Sequence, residues 1–378
     1  MQCRKCKQTF DSGGEAHVIP KGLGGKYTPT TVFCAACDNS LSDLDRALVE
    51  QYDIVRFLLG LSGWREVPKL QFTDLDGDPV VADGQWRIGR PGPRWKKTLR
   101  TDSGEHHDVL IVPLSQVDQM RPWIEKQPGG KKAMENMAVG TELPIVSWRQ
   151  EMGGPKPVRA AAKMLYTLAC DHLGRKGIGA DFSEIEDLIF DGGPRFPLCA
   201  HEVRSQFYRE LGDFTNMLVL HFDASRHTVV GFATVLGSMM YSALLTRRYS
   251  GAVSHSITMR NNPLDSSAAD RFETLAACPD IEPQQLIDRS YLPKSGDKPD
   301  LVRPCWDRLV YKARRAQAGE MIRLTWQYCL EESGFDPNAP TPQTEAAFRT
   351  CWAREYKRRF MSGRPFMVEE KDENTPNA

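Results

Sequence analysis

Apolar positions along the chain fall into several different rhythms. Over residues 43–56, Leu44, Leu48 and Val49 recur at helical spacing, which predicts a short helix. From 56 to 150 the pattern changes to short β-prone runs, at 70–73, 109–112 and 145–148, separated by turn sequences such as LDGDP and RPGPR. This reads as a small strand-rich layer. Residues 155–175 return to helical spacing: Ala161, Met164, Leu165, Leu168 and His172 share one stripe, with Gly174 as the expected C-cap. A second helix is predicted from Asp181-Phe182-Ser183 through Phe190, and a hairpin from 217–222 and 227–235 around the turn Asp223-Ala224-Ser225-Arg226. From about 264 the spacing is mostly helical, with Pro-rich breaks, and the polar tail EEKDENTPNA reads as disordered.

These elements predict an α+β protein in three parts: a small N-terminal module over 1–55, an α+β domain over 56–262, and a helical C-terminal region over 263–378. The stretch 228–245 carries no charge but is barely long enough to span a bilayer. Its β-branched first half and its small polar residues predict buried strands running into a helix instead.

The chain has 378 residues, with 49 basic and 49 acidic side chains and so no net charge. Bulk attraction to a polyanion is therefore excluded, and any nucleic-acid contact must come from a local basic face. The opening MQCRKCKQTF lacks the apolar run of a signal peptide, so a cytoplasmic location with reduced thiols is expected, and no membrane partner.

Four of the 10 cysteines stand in two tight pairs, Cys3-x2-Cys6 and Cys34-x2-Cys37. Two such turns can surround one metal ion with four thiolates, which closes the shell and implies structural Zn2+. Between the pairs lies Glu15-Ala16-His17-Val18-Ile19-Pro20-Lys21-Gly22-Leu23-Gly24-Gly25, and after them Asp38-Asn39-Ser40-Leu41-Ser42-Asp43-Leu44-Asp45. The order C-x2-C, HVIP, a Gly-Gly turn, C-x2-C, DN and LD resembles the HNH endonuclease family, in the branch that embeds a four-cysteine zinc site in a ββα-metal, treble-clef-like fold.

The resemblance covers residues 1–50 and implies a fold, an activity and a site. His17 would be the general base, a role suited to an imidazole near neutral pH. Asp38 would hold a catalytic Mg2+ or Mn2+, cations that prefer oxygen ligands. Asn39 would orient the His17 loop or the phosphate, and Asp45 would be a ligand or a structural residue. The partner would be nucleic acid, with DNA as the expected substrate.

Two departures from the pattern matter. The family's acidic residue directly precedes the His, where this chain has Ala16, with Glu15 one position further back. On a strand that shift turns the Glu15 side chain to the other face. Either the local turn still brings Glu15 to the cation, or the shell is one ligand short. The middle Asn is also absent, since Thr30 and Thr31 stand in its place. The competing reading is a catalytically degenerate zinc module that binds nucleic acid or a protein partner.

Further candidates for nucleic-acid contacts are Lys21 and Lys26 near the Gly-rich turn, and Arg314, Arg315, Lys357 and Arg358 among C-terminal aromatics. Acidic neighbours there equally suit amphipathic helices with solvated basic faces. Asp74-x-Asp76-Gly77-Asp78 reads as a turn, and neither His106-His107 nor Cys199-x-His201 has supporting metal-ligand spacing.

Overall fold

The computed structural model describes residues 1–62, 67–74, 79–82, 88–89, 94–100, 106–111, 117–126, 146–147, 154–192, 199–202, 214–265, 269–275 and 303–356. The protein mixes helices with antiparallel sheets and is of the α+β class. Two compact units form, one from Met1–Pro68 with Gln150–Ala316, the other from Lys69–Arg149 with Gln317–Ala378.

In the first unit, helix α1 (Ala35–Glu50) begins inside the second cysteine pair, earlier than the apolar spacing alone suggests. Cys34 is its N-cap residue and Cys37 lies in its first turn. The expected single helix over 43–56 is in fact two. Gln51 and Tyr52 interrupt it before α2 (Asp53–Leu59), which ends at Gly60 in the left-handed conformation. The two strands expected ahead of α1 reduce to isolated bridges, Gln2 with Thr9 and Gly13 with Cys34, and a 3-10 turn over Lys21–Leu23.

The sequence 70–147 contributes β1 (Leu70–Asp74), β2 (Pro79–Ala82), β3 (Ile88–Gly89), β4 (Arg94–Arg100), β5 (His106–Ile111), helix α3 (Val117–Ile124) and β6 (Val146–Ser147) to the second unit. They form a four-stranded sheet in the order β3-β2-β1-β6 and the separate hairpin β4-β5.

Returning to the first unit, α4 (Pro155–Lys176) runs past Gly174 and is capped by Gly177, at φ 63°, with basic Arg175 and Lys176 in its last turn. The predicted second helix is α5 (Ser183–Asp191). Six antiparallel strands then form one sheet: β7 (Cys199–Glu202), β8 (Asn216–Asp223), β9 (Thr228–Val235), β10 (Met239–Thr246), β11 (His255–Asn261) and β12 (Arg271–Leu275), in the order β12-β11-β8-β9-β10-β7. The uncharged stretch 228–245 is thus two paired strands, not a strand entering a helix. Strand β12 carries the sheet past the point where helices were expected to take over. Among the described residues no helix is long and apolar enough to cross a membrane.

Strands β8 and β9 are buried along nearly their whole length, so both faces of the sheet are covered there. Helix α4 packs against β8, β9 and β10 on one side and against α1 on another. At Gly231 of β9 an added Cβ would lie 3.0 Å from the Leu165 methyls, which shows how closely the helix approaches the strand. A helix covered on two sides is buried nearly all round, and α4 is buried from Pro157 through Leu173 apart from Arg159 and His172. Its stripe toward α1 includes a charged residue, Lys163, only 1% exposed.

Helix α6 (Arg303–Ser333) contributes its first part to the first unit, where Trp306 packs edge-on against Tyr52 at 5.8 Å. Its remainder and α7 (Pro342–Tyr356) belong to the second unit and close a core of Cys329, Phe348 and Cys351. Trp326 packs against Phe348 at 4.7 Å and Trp352 at 5.7 Å.

Candidate active site

The two cysteine pairs converge. All four sulfurs lie within 4.8 Å of one another, and Cys6 Sγ is 3.9 Å from Cys34 Sγ. A tetrahedral ion with metal–sulfur bonds of about 2.3 Å needs sulfurs about 3.8 Å apart. The spacing and the donor set both fit one zinc ion held by Cys3, Cys6, Cys34 and Cys37. The first pair is shaped by a turn in which Lys7 N–H donates to Cys3 O at 2.9 Å, the second by the start of α1, where Asp38 N–H donates to Cys34 O at 3.0 Å. Burial would raise the Cys3 thiol, but backbone N–H groups of Cys34, Cys6 and Lys5 hold it down at about 6. Burial and the three neighbouring thiols push Cys37 up to about 12. Four thiolates this close need a shared cation to ionise together.

Beside this cluster opens a cleft of about 700 Å³. Its lining includes Glu15, His17, Asp38, Asn39 and Asp45, which are the residues expected to carry the chemistry, together with Lys21. Two local regularities bring them together. On α1, Asp38, Ser42, Asp45 and Val49 follow i, i+4, i+7 and i+11 and share one face in the cleft, while Cys37, Leu41, Leu44 and Leu48 hold the same spacing one position earlier and face the core. In the segment before α1, burial alternates: Gly14 buried, Glu15 exposed, Ala16 buried, His17 half-buried, Val18 buried. Glu15 and His17 therefore open onto the same cleft, with Ala16 between them in the core. The local chain path thus brings Glu15 to the cleft despite Ala16.

The loop bearing His17 is held from both sides. Val18 N–H donates to Tyr27 O at 3.0 Å, closing the loop on itself. Gly24 turns it in the left-handed conformation, φ 87°, and a Cβ on Gly25 would come within 1.8 Å of Ile19 O, so the Gly-Gly pair is required sterically. From the sheet, Asn216 Nδ2 donates to Leu23 O at 2.7 Å and Asn261 Nδ2 to Gly24 O at 2.9 Å. Asp270 accepts from Tyr27 N–H at 2.7 Å.

Within the cleft, His17 Nδ1 is 2.9 Å from Glu15 O. A carbonyl only accepts, so Nδ1 donates and in the neutral ring the lone pair sits on Nε2. Burial pushes the Asp38 carboxyl upward; Asp45 and Glu15 add to the rise, against Lys163 and His17. Burial also raises Asp45, against its ion pair with Lys163. Lys163 Nζ donates to Asp45 Oδ2 at 2.6 Å. Asp45 Oδ1 is buried and has no hydrogen-bond donor among the described residues. Further along, Arg56 lines the cleft and pairs with Asp53 at 2.5 Å. Five carboxylates (Glu15, Asp38, Asp45, Glu50, Asp53) face three cations (Lys21, Arg46, Arg56). This crowding of oxygen ligands fits a hard divalent cation of the Mg2+ or Mn2+ class.

Residues 2–53 match the family model described as HNH endonuclease. They form an HNH module of the nuclease type, and its matched span holds all four cysteines and every cleft residue from Gly14 to Asp53. No curated protein and no solved structure matches the chain.

The remaining candidates lie elsewhere. Lys26 is turned to the sheet side, its backbone N–H on Asp270 Oδ2 at 3.2 Å and its Nζ on Asp265 O at 3.2 Å. Arg314 and Arg315 sit on α6 away from the cleft, Arg315 over the Tyr311 ring at 5.9 Å. Lys357 and Arg358 lie outside the described residues, as do residues 75–78 and the tail. The side chains of His106, His107, Cys199 and His201 do as well. Two residues bearing on the cleft escape motif reading: Arg56, beyond the HNH match, and Lys163, far along the chain on α4. A lone charge within the apolar run AAAKMLY is the only local signal for Lys163.

Proposed function

We propose that the chain is a metal-dependent endonuclease that hydrolyses DNA phosphodiester bonds in the cleft of its HNH module. One observation carries this reading: His17, Glu15, Asp38, Asn39 and Asp45 all line a single cleft, with the imidazole held by the Glu15 carbonyl. In the reaction His17 Nε2 takes a proton from water as its oxygen attacks phosphorus. The bond to the leaving oxygen breaks, and that oxygen collects a proton from solvent. Asp38 and Asp45, with Glu15, would hold a divalent cation of the Mg2+ or Mn2+ class, and Asn39 would orient the phosphate. When bound, the cation supplies charge stabilisation on the phosphate. The need for it follows from the lining, whose excess of carboxylates would otherwise repel a polyanion. The four-cysteine zinc site fixes α1 against the His17 loop and stays out of the chemistry.

A module that only binds nucleic acid or protein is favoured less, because Glu15 shares the cleft with His17 despite Ala16. The test is cleavage of a circular plasmid with Mg2+ or Mn2+ by wild type and His17→Ala. Losing a general base is expected to slow cutting by about 100-fold or more. Equal cutting by both proteins overturns the assignment.

A further inference from the structure

The HNH match ends at residue 53, yet the cation hydrogen-bonded to Asp45 comes from α4, more than a hundred residues later. Lys163 is 1% exposed, sits on the buried α4 face toward α1, and donates to Asp45 Oδ2 at 2.6 Å. A lysine is almost never buried so fully unless it is paired, and this one is paired to a residue that lines the cleft. Asp45 has its second oxygen, Oδ1, buried and without a donor among the described residues. A carboxylate with one oxygen fixed and the other buried and unsatisfied is poised to accept a cation or a donor from the cleft.

We propose that Lys163 is a positioning residue for the cation site: it anchors Asp45 by Oδ2 so that Oδ1 is presented as a metal ligand. This rests on the metal-dependent reading above. Lys163 touches neither substrate nor reacting atoms and acts only through Asp45, as outer-shell partners of ligating carboxylates do. It also makes α4 and the sheet behind it part of the machinery, because the charge that orients Asp45 is held by a helix packed on β8, β9 and β10.

The test measures Mn2+ binding to the full-length chain by the electron paramagnetic resonance of free Mn2+, with thermal melting alongside. The variants are Asp38→Asn, Asp45→Asn, Lys163→Met and Asp45→Asn/Lys163→Met. Lys163→Met, below its melting temperature, is expected to bind Mn2+ about tenfold or more weakly, the usual cost of losing an outer-shell partner. In the Asp45→Asn background, Lys163→Met is expected to change affinity no further, because the lysine acts through that carboxylate. A purely structural pair would lower the melting temperature and leave Mn2+ affinity intact, which overturns the proposal. If Lys163→Met does not fold, the double variant, which buries no lone charge, replaces it. Mn2+ affinity of the double equal to wild type then overturns the proposal. Weakening by Asp38→Asn but not by Lys163→Met would remove the positioning role and leave the cation site standing. A wild-type chain that binds no Mn2+ removes the metal-dependent reading, and this inference with it.

Discussion

Gly14 faces Asp38 so closely that a Cβ at position 14 would lie 2.7 Å from Asp38 Cβ and 3.0 Å from its Oδ2. The glycine is therefore part of how the cleft is shaped: a bare backbone lets the cysteine-bound helix come up against the His17 segment.

Gly14→Ala follows directly as a probe. Asp38 Cβ is attached to the first turns of α1, and Ala35 Cα is a further 3.2 Å neighbour, so the clash cannot be relieved by a side-chain rotation alone. The helix start must move, carrying Asp38 with it. Overpacking of this kind costs about 1–3 kcal/mol, so the protein should still fold at 25 °C. Misplacing the carboxylate is expected to reduce metal-dependent cleavage by about tenfold or more. Plasmid cleavage and thermal melting, measured together, check this; unchanged cleavage would show that Asp38 does not need its present position.

A second expectation concerns acid stability. His221 on β8 is buried, with Nδ1 2.7 Å from Ser256 Oγ, and burial lowers its pKa to about 4 from an ordinary 6.5. The unfolded chain thus binds a proton below about pH 6.5 that the folded chain refuses until about pH 4. Folded stability is full above 6.5 and falls as pH drops through that window, by about 3 kcal/mol from this group alone. His172 is lowered in the same direction, to about 4, by burial, Lys176 and His255, so it adds to the loss. Urea unfolding between pH 7 and pH 4 should show the decline, and His221→Gln should flatten it. An equal decline in the variant would place the effect elsewhere.

Much of this site is readable from local sequence because its geometry is local. Each x2 cysteine spacing marks two sulfurs that one ion can share, and Asp38 and Asp45 share a helix face simply by being seven apart. The start of α1 is harder to read, because its first turn, Ala35-Ala36-Cys37-Asp38, holds no large apolar side chain, so no apolar rhythm announces it. Lys163 is harder still. Its meaning depends on a partner 118 positions away, set by the packing of α4 on α1, and no spacing rule reaches that far. The sheet beyond residue 262 is hard to read for a related reason: β12 is short and exposed at its start, at Arg271, Phe272 and Glu273, and it gains strand geometry by pairing with β11.

The exchange of Glu15 and Ala16 relative to the family pattern yields the last prediction. Restoring the family order with Ala16→Glu looks like a repair on paper. Ala16, however, is 1% exposed and faces the core, while Glu15 lines the cleft with His17. A glutamate at 16 would place an unpaired carboxylate in an apolar setting, among the costliest changes a core position can suffer. Ala16→Glu should therefore lower the melting temperature sharply without raising cleavage. Glu15→Ala, at an exposed position, should leave stability within about 0.5 kcal/mol. It should still weaken Mn2+ binding and cleavage. Melting curves and Mn2+ titrations on the two variants separate these effects. An Ala16→Glu protein as stable as wild type and more active would mean that the alternation from Gly14 to Val18 does not govern which carboxylate reaches the cleft.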